Sequence, residues 1–598
     1  MPAHALTPRT RATACVVALT ALALALRLGG IGHELPCDRL GDETWYSDAL
    51  ARFLRGEPMA LGYGSTFYPL ALPALVGLGS RLVPDGAPST LAEHLDAASA
   101  PLVALRAAVA LLATLLVPAT YRIARRFLGR PASVLAAGFA ATSLLGVWYA
   151  CQARPHASFA GLATVALAAA LAVRRRGDAR AWLGAGLACT AAVAALQTGV
   201  LLLVPLAVAH LAGRRSRRDA REGAPRRARG ALFPALAALA VLLTLRLALP
   251  PAFRRFEVHA GDGVTPESGD GFLPIPLVES LDGSGFAAML RAGLDFDPWL
   301  TLLAALGTLA VLARLVPARA RLRELASSGR GRDAAVLASF ALPLAVVYGV
   351  YANTSDRYLL PLVPFAALAA AAVLPAAAAL ARRALPGLPA TAAQAASAAL
   401  LLAPPAAVAL ALVSARAEDD TGRVAAAWIE RHVERGRERI AVTPSLELPL
   451  VRDASGLAWL ASFGDRPQPP WIRYQRSLDA ATRARLGWPI DALPVQGDAR
   501  ARLEGDPAAY LASTGARWVV VEAASRGPFY ARLRAELAAR AELALRVSPW
   551  RDPADERAFR VSDRLATGSL PGGYAWHALR ARSLGPVVEV YRLRGPRD

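Results

Sequence analysis

Lysine is absent from this chain of 598 residues: all 67 of its Lys and Arg residues are arginine, set against 46 Asp and Glu. Charge is scarce as well. Charged residues make up 19% of the sequence and hydrophobic ones 55%, with a mean hydropathy of +0.35, which excludes a soluble protein of this size. Cysteine occurs four times, as Cys15, Cys37, Cys151 and Cys189, without a C-x-x-C spacing, which excludes a metal knuckle or a redox motif. Cys37 and Cys151 could pair if they share an oxidising face, although unpaired small core residues is the simpler reading. The net charge of +21 invites a nucleic-acid partner, but no zinc ligand set or aromatic-basic ladder accompanies it. The arginine excess lies instead in short tracts between apolar runs, such as Arg174-Arg175-Arg176, as expected of loops facing anionic lipid headgroups.

What is abundant is membrane-spanning sequence. A first apolar run at 12–31 follows Arg9 and Arg11 and reads either as a signal peptide or as a spanning helix with its N-terminus in the cytoplasm, and the many later apolar runs favour the helix. Further runs near 101–121, 131–150, 157–173, 182–196, 199–213, 231–250, 298–317, 334–352, 358–380 and 390–414 bring the expectation to about eleven helices. The positive-inside rule supports this count. The tracts Arg122 to Arg130, Arg174 to Arg180, Arg214 to Arg229, Arg319 to Arg332 and Arg382-Arg383 all fall on the side of the N-terminus. Counting 66–84 as a span would place them outside, so it reads as a re-entrant or interfacial helix within a long first outer loop, 32–100.

An odd number of spans puts the remainder outside the cytoplasm. Residues 416–598 have ordinary soluble composition, with β-rich runs at 439–443, 517–522 and 587–591 and amphipathic stretches at 424–433 and 530–543. The expected fold is therefore a polytopic α-helical membrane protein, 1–415, with a C-terminal extracytoplasmic α/β domain, 416–598. No internal repeat is visible beyond alanine-rich composition.

The polar residues that stand out in an apolar chain gather on the outer face. Asp42-Glu43 follows the first span, beside Trp45 and Tyr46; a carboxylate there could act as a base towards a hydroxyl, hold a divalent metal, or be a solvated loop acid. A short outer turn carries Cys151-Gln152-Ala153-Arg154-Pro155-His156, in which Arg154 is placed at the membrane surface, either to grip a phosphate diester or to snorkel to headgroups. His156 has no second ligand at metal spacing. A third outer segment, Asp356-Arg357-Tyr358 ahead of Pro361 and Pro364, sets an arginine and a phenol at a helix entrance, as a phosphate site or as an interfacial anchor.

Taken together, Asp42-Glu43 in a long first loop, the Arg154-Pro155 turn and Arg357-Tyr358-x-x-Pro361-x-x-Pro364 resemble the GT-C superfamily of membrane glycosyltransferases. Within it the chain is most similar to glycosyltransferase family 39, the protein O-mannosyltransferase-like and lipid A aminoarabinose transferase-like proteins, over about 1–415. The stretch Asp42 to Gly56 followed by Phe67-Tyr68-Pro69 is similar to that family's first loop. The resemblance implies inverting transfer of a hexose or pentose from a polyprenyl-phosphate donor to a lipid, glycan or protein acceptor at the extracytoplasmic face. It implies Asp42 as the base, assisted by Glu43, with Arg154, Arg357 and Tyr358 binding the leaving lipid phosphate. No cofactor is required by it beyond an optional divalent metal. Two positions depart from the family: Gln197-Thr198-Gly199, where relatives carry a basic residue, and Asp356, where a histidine commonly precedes Arg-Tyr.

Other classes were weighed. A transporter or lipid-linked sugar flippase predicts charges within the spans, for which Arg27 and Arg106 are the candidates. An O-antigen polymerase or ligase would use the loop 251–297, and a non-catalytic scaffold would tolerate loss of Asp42. The arginine-only, alanine-rich composition fits a GC-rich genome and an inner, or plasma, membrane location.

Overall fold

A computed structural model describes residues 7–37, 43, 88–218, 229–248, 281–315, 328–352, 354–444, 446–461, 469–494, 497–523, 528–552, 554–559 and 573–594. Asp42, the run 66–84 and most of the first outer loop lie outside the described residues. The chain is a mostly helical, multi-pass membrane protein. Among the described residues, six helices are long and apolar enough to cross a bilayer, or eight if two bent pairs each count as one span. The other three expected spans are the shorter apolar helices Ala179–Ala195, Gln197–Gly213 and Phe233–Thr244. Their runs are apolar as the sequence suggests, but the continuous helix is briefer.

The second long helix corrects a boundary. It begins at Leu91, ten residues before its apolar run, and so takes up the last part of the expected first loop. Thr90 accepts from the Glu93 amide while the Glu93 carboxylate returns to the Thr90 amide, a reciprocal cap that starts a helix irrespective of hydropathy.

One bend positions the candidate site. The helix Arg130–Thr142 breaks at Ser143 and continues as Leu144–Ala150, turned by 46°. Such a break strands the amides of Leu144 and Leu145 and the carbonyls of Ala140 and Ala141, which would pair in a continuous helix. Two charged side chains satisfy them. Asp297 accepts from the Leu144 and Leu145 amides at 2.7 and 3.3 Å and from the Ser143 hydroxyl at 2.7 Å. Arg27, fully buried in the first helix, donates to the Ala140 and Ala141 carbonyls, both at 3.3 Å. Asp297 itself sits at a 119° bend between the helices Ser284–Phe296 and Pro298–Leu315; the second matches the expected span 298–317, and the first falls in what reads as the loop 251–297.

Beyond the last long helix, Ala390–Ala417, the chain forms a five-stranded mixed sheet. The strands are β1 (Arg439–Val442), β2 (Ile490–Ala492), β3 (Ala516–Glu522), β4 (Ala541–Val547) and β5 (Val588–Leu593), in the order β2-β1-β3-β5-β4. β1 runs parallel to β2 and β3, and β5 antiparallel to β3 and β4. Alternation sorts the faces: Ile440, Val442, Val520 and Val590 pack with Ile429 and Trp488, whereas Ala441, Val519, Val521 and Tyr591 pack with Leu511, Leu533 and Leu537. The helix Pro528–Arg540 is pinned to the sheet by Arg534, which donates to both Glu556 and Glu589; Arg546 joins Glu589 at 2.7 Å.

That network has a pH signature. Hydrogen bonds from Arg534 hold the Glu556 carboxyl below its ordinary range. A depressed carboxyl stabilises the fold above its unfolded pKa, and the contribution fades as pH falls through the folded value. Acidification below about pH 4.5 is thus expected to lower the melting temperature of the wild type more than that of Glu556→Gln, measured by differential scanning fluorimetry. Parallel curves for the two proteins would contradict this.

This C-terminal part is docked on the helices at two places. At one, Arg423 donates to the Leu35 carbonyl at 2.9 Å, Tyr474 meets His94 at 2.9 Å, and Trp471, Val451 and Leu486 cluster with Ala98. At the other, Trp550, Phe559, Tyr574, Ala578 and Leu584 belong to the same buried cluster as Trp148, Phe296 and Leu337 of the membrane helices.

Candidate functional site

The short helix Leu144–Ala150 delivers Trp148 and Tyr149 to a buried turn at 151–154, after which Pro155 opens the next long helix, Pro155–Arg175. Proline suits that first helical position because its missing N–H would have no intrahelical partner there. Arg154, expected at the surface, is instead 1% exposed. The turn is covered from two sides, and its burial follows from what covers it.

The first cover is Glu43. Arg106, from the helix Leu91–Thr114, donates to both carboxylate oxygens through Nε at 3.1 Å and Nη2 at 2.6 Å. The Ala153 amide donates to the same carboxylate. Arg106 Nη1 also reaches the carbonyls of Ile31 and His33 at 2.9 and 3.0 Å. Both members of the pair are essentially sealed from solvent. Glu43 therefore ties the first loop to the residue just before Arg154, and Arg106 is its counter-charge, not a transport charge.

The second cover is the segment 354–362. Thr354 Oγ donates to the Tyr348 carbonyl at 2.6 Å, and the chain enters a 3-10 turn, Asp356–Leu362. Asp356 Oδ1 accepts from the Tyr149 hydroxyl and from the Arg357 amide, the latter at 2.8 Å, which fixes how Arg357 and Tyr358 leave the turn. Tyr358 stacks on Tyr348 with ring centroids 4.8 Å apart and faces His156 at 5.9 Å; the Arg357 guanidinium lies 5.5 Å from the Tyr358 ring. His156 lies within reach of the charges of both Arg154 and Arg357. Thr198, from one of the two divergent positions, sits beside Tyr348.

Two of the three expected motifs thus meet here, joined through Glu43 to the third. Asp42 lies outside the described residues. Asp356, where the resemblance leads one to expect a histidine, is an acid bonded to Tyr149. Two buried polar atoms at the centre, His156 Nδ1 and Asp356 Oδ2, have no hydrogen-bond partner among the described residues, which marks a place built for a further polar group. Sequence reasoning passed over Arg106, Tyr149 and His156 as site residues. Only Arg106 carried a usable signal, an arginine in an apolar run, and its partner is 63 residues away.

Among the described residues no three His, Cys, Asp or Glu side chains converge, and Asp42 lies outside them. Cys37 and Cys151 are not joined in a disulfide.

Comparison with known proteins adds to this geometry. The family model described as dolichyl-phosphate-mannose-protein mannosyltransferase matches residues 97–244, less than half of the chain, and bears out over that stretch the resemblance to the GT-C superfamily. No curated protein matches the chain by sequence. Among solved structures, the archaeal oligosaccharyltransferase AglB from Archaeoglobus fulgidus, in complex with an inhibitory peptide and a dolichol-phosphate, is similar at 12% identity and a TM-score of 0.46, over 90% of this chain and 73% of that one. ArnT from Cupriavidus metallidurans, bound to undecaprenyl phosphate, is similar at 14% identity and a TM-score of 0.40, over 89% and 96%.

Proposed function

We propose that the chain is an inverting glycosyltransferase of GT-C type that moves a sugar from a polyprenyl-phosphate donor to a hydroxyl acceptor at the extracytoplasmic face. The helical part, 1–415, carries the chemistry, and 416–598 forms an extracytoplasmic α/β domain over it. The observation that carries this reading is the convergence of buried Arg154 with the half-buried Arg357, Tyr358 and His156 on one cation-rich site between helix entrances. Arginine forks match the oxygens of a phosphate.

The roles follow from charge flow. The acceptor oxygen attacks the anomeric carbon from the face opposite the phosphate, and the bond from that carbon to the phosphate oxygen breaks. The phosphate leaves with the bonding pair as a polyprenyl phosphate carrying one more negative charge. Arg154 and Arg357 neutralise that charge as it develops, and Tyr358 donates a hydrogen bond to it. Asp42 takes the proton from the acceptor hydroxyl. Glu43, held by Arg106, fixes the loop that presents Asp42. Arg27 and Arg106, the charges that would support a transporter, are occupied in holding a helix break and Glu43 respectively, which favours the enzyme reading.

The test is transfer or release of sugar from a panel of polyprenyl-phosphate sugars by the purified protein in proteoliposomes. Arg357→Met is expected to lower turnover of the accepted donor on the order of a hundredfold, with Arg357→Lys between it and wild type. Unchanged turnover in Arg357→Met would remove the phosphate site from the mechanism. A well-folded wild type inert to every donor would return weight to a transporter.

A further inference from the structure

We propose that the C-terminal chain is a built-in wall of the site and that Tyr574 is a positioning residue, acting on Arg357 through Trp148, Tyr149 and Asp356. Covalently linked domains usually move relative to one another unless their contact is large and apolar. Here the contact is a shared core. Tyr574, in the short helix Gly573–Arg580, stacks on Phe296 with ring centroids 4.3 Å apart and planes 17° from parallel, and meets Trp148 at 5.2 Å. Phe559 closes on the other side of Trp148 at 5.6 Å, and Trp550 braces Phe559 at 5.3 Å. The approach is close enough to require glycine: at Gly573, with φ +74°, a Cβ would lie 2.7 Å from the Asp295 backbone.

The chain of contacts from this wall to the chemistry is short. Trp148 and Tyr149 are consecutive; the Tyr149 hydroxyl holds Asp356, and Asp356 holds the Arg357 amide. Phe296 adjoins Asp297, whose carboxylate sustains the bend that presents both aromatics. The second docking point, at Arg423 with Leu35 and Tyr474 with His94, pins the opposite edge of the outer part beside the start of the first loop. With both edges fixed, the domain has no hinge over the site. An acceptor therefore reaches the site with the wall in place, and the domain does not lift away during turnover.

The effect on turnover rests on the proposed glycosyl transfer; the docking does not. Two experiments on the full-length protein in proteoliposomes separate them. In a chain whose four native cysteines are replaced by alanine, Phe296→Cys with Tyr574→Cys is treated with a short bis-methanethiosulfonate. Efficient crosslinking, with turnover no lower than in the same protein after reduction, is expected. Absence of crosslinking in folded protein, or turnover lost until reduction, would overturn the fixed wall. Separately, Tyr574→Ala is expected to lower kcat on the order of tenfold with the donor KM little changed, while Tyr574→Phe stays near wild type. The exposed neighbour Trp576, changed to Ala, serves as the control. Wild-type kcat in Tyr574→Ala would overturn the positioning role. Should the wild type turn over no donor while the crosslink still forms, the glycosyltransferase reading fails and the wall stands.

Discussion

Asp42→Asn is expected to abolish most sugar transfer, lowering kcat by roughly two to four orders of magnitude while leaving donor binding near wild type, because a general base typically contributes about that much. Amide and carboxylate are nearly the same shape, so the substitution removes proton acceptance and little else. The sequence neighbour of Asp42, Glu43, is held at the turn that carries Arg154. The measurement is single-turnover transfer with the donor identified by the panel, alongside equilibrium binding of that donor. Equal kcat in the two proteins would place the base elsewhere.

The second large effect concerns stability. Arg106→Met leaves the Glu43 carboxylate buried without its counter-charge, which should cost about 3–5 kcal/mol. The double variant Arg106→Met with Glu43→Leu removes both charges and should recover most of that loss, since an apolar pair of similar volume is often neutral. Activity should not recover, because the first loop would no longer be pinned to the Ala153 amide. Melting temperature and turnover, measured on both variants and the wild type, form the test. A double variant as unstable as the single would show that Arg106 acts chiefly through the carbonyls of Ile31 and His33; one that regained full activity would free Glu43 from its positioning role.

Much of this architecture could be read from residues. The apolar runs fall where helices occur, and the three β-rich runs at 439–443, 517–522 and 587–591 correspond to β1, β3 and β5. β2 was invisible because three residues carry no periodicity. β4 was absorbed into a helix: Ala541–Val547 continues the helix-favouring composition of Pro528–Arg540, and only its pairing with β5 makes it a strand. The start at Leu91 was legible, since Thr90-x-x-Glu93 is a capping signature, but hydropathy outweighed it. The bend at Ser143 was not legible, because a broken apolar run reads like a straight one, and the helix Ser284–Phe296 that makes the bend at Asp297 lies in what reads as a loop. The site behaved in the same way. Arg154, Arg357 and Tyr358 were chosen for their chemistry and meet in space, whereas the Arg106–Glu43 and Tyr149–Asp356 pairs join residues 63 and 207 positions apart, which no local pattern records.

The break at Ser143 also bears on how the protein is made. During synthesis the segment 130–150 enters the bilayer when Arg27 is already present but Asp297 is still about 150 residues from being translated. Until then an unbroken helix is the arrangement that leaves no amide unpaired in hydrocarbon. The bend that carries Trp148 and Tyr149 to the site is thus a late event in biogenesis, completed when Asp297 arrives to take the two freed amides. A nascent chain stalled before that residue would hold these helices in the membrane and still lack a site.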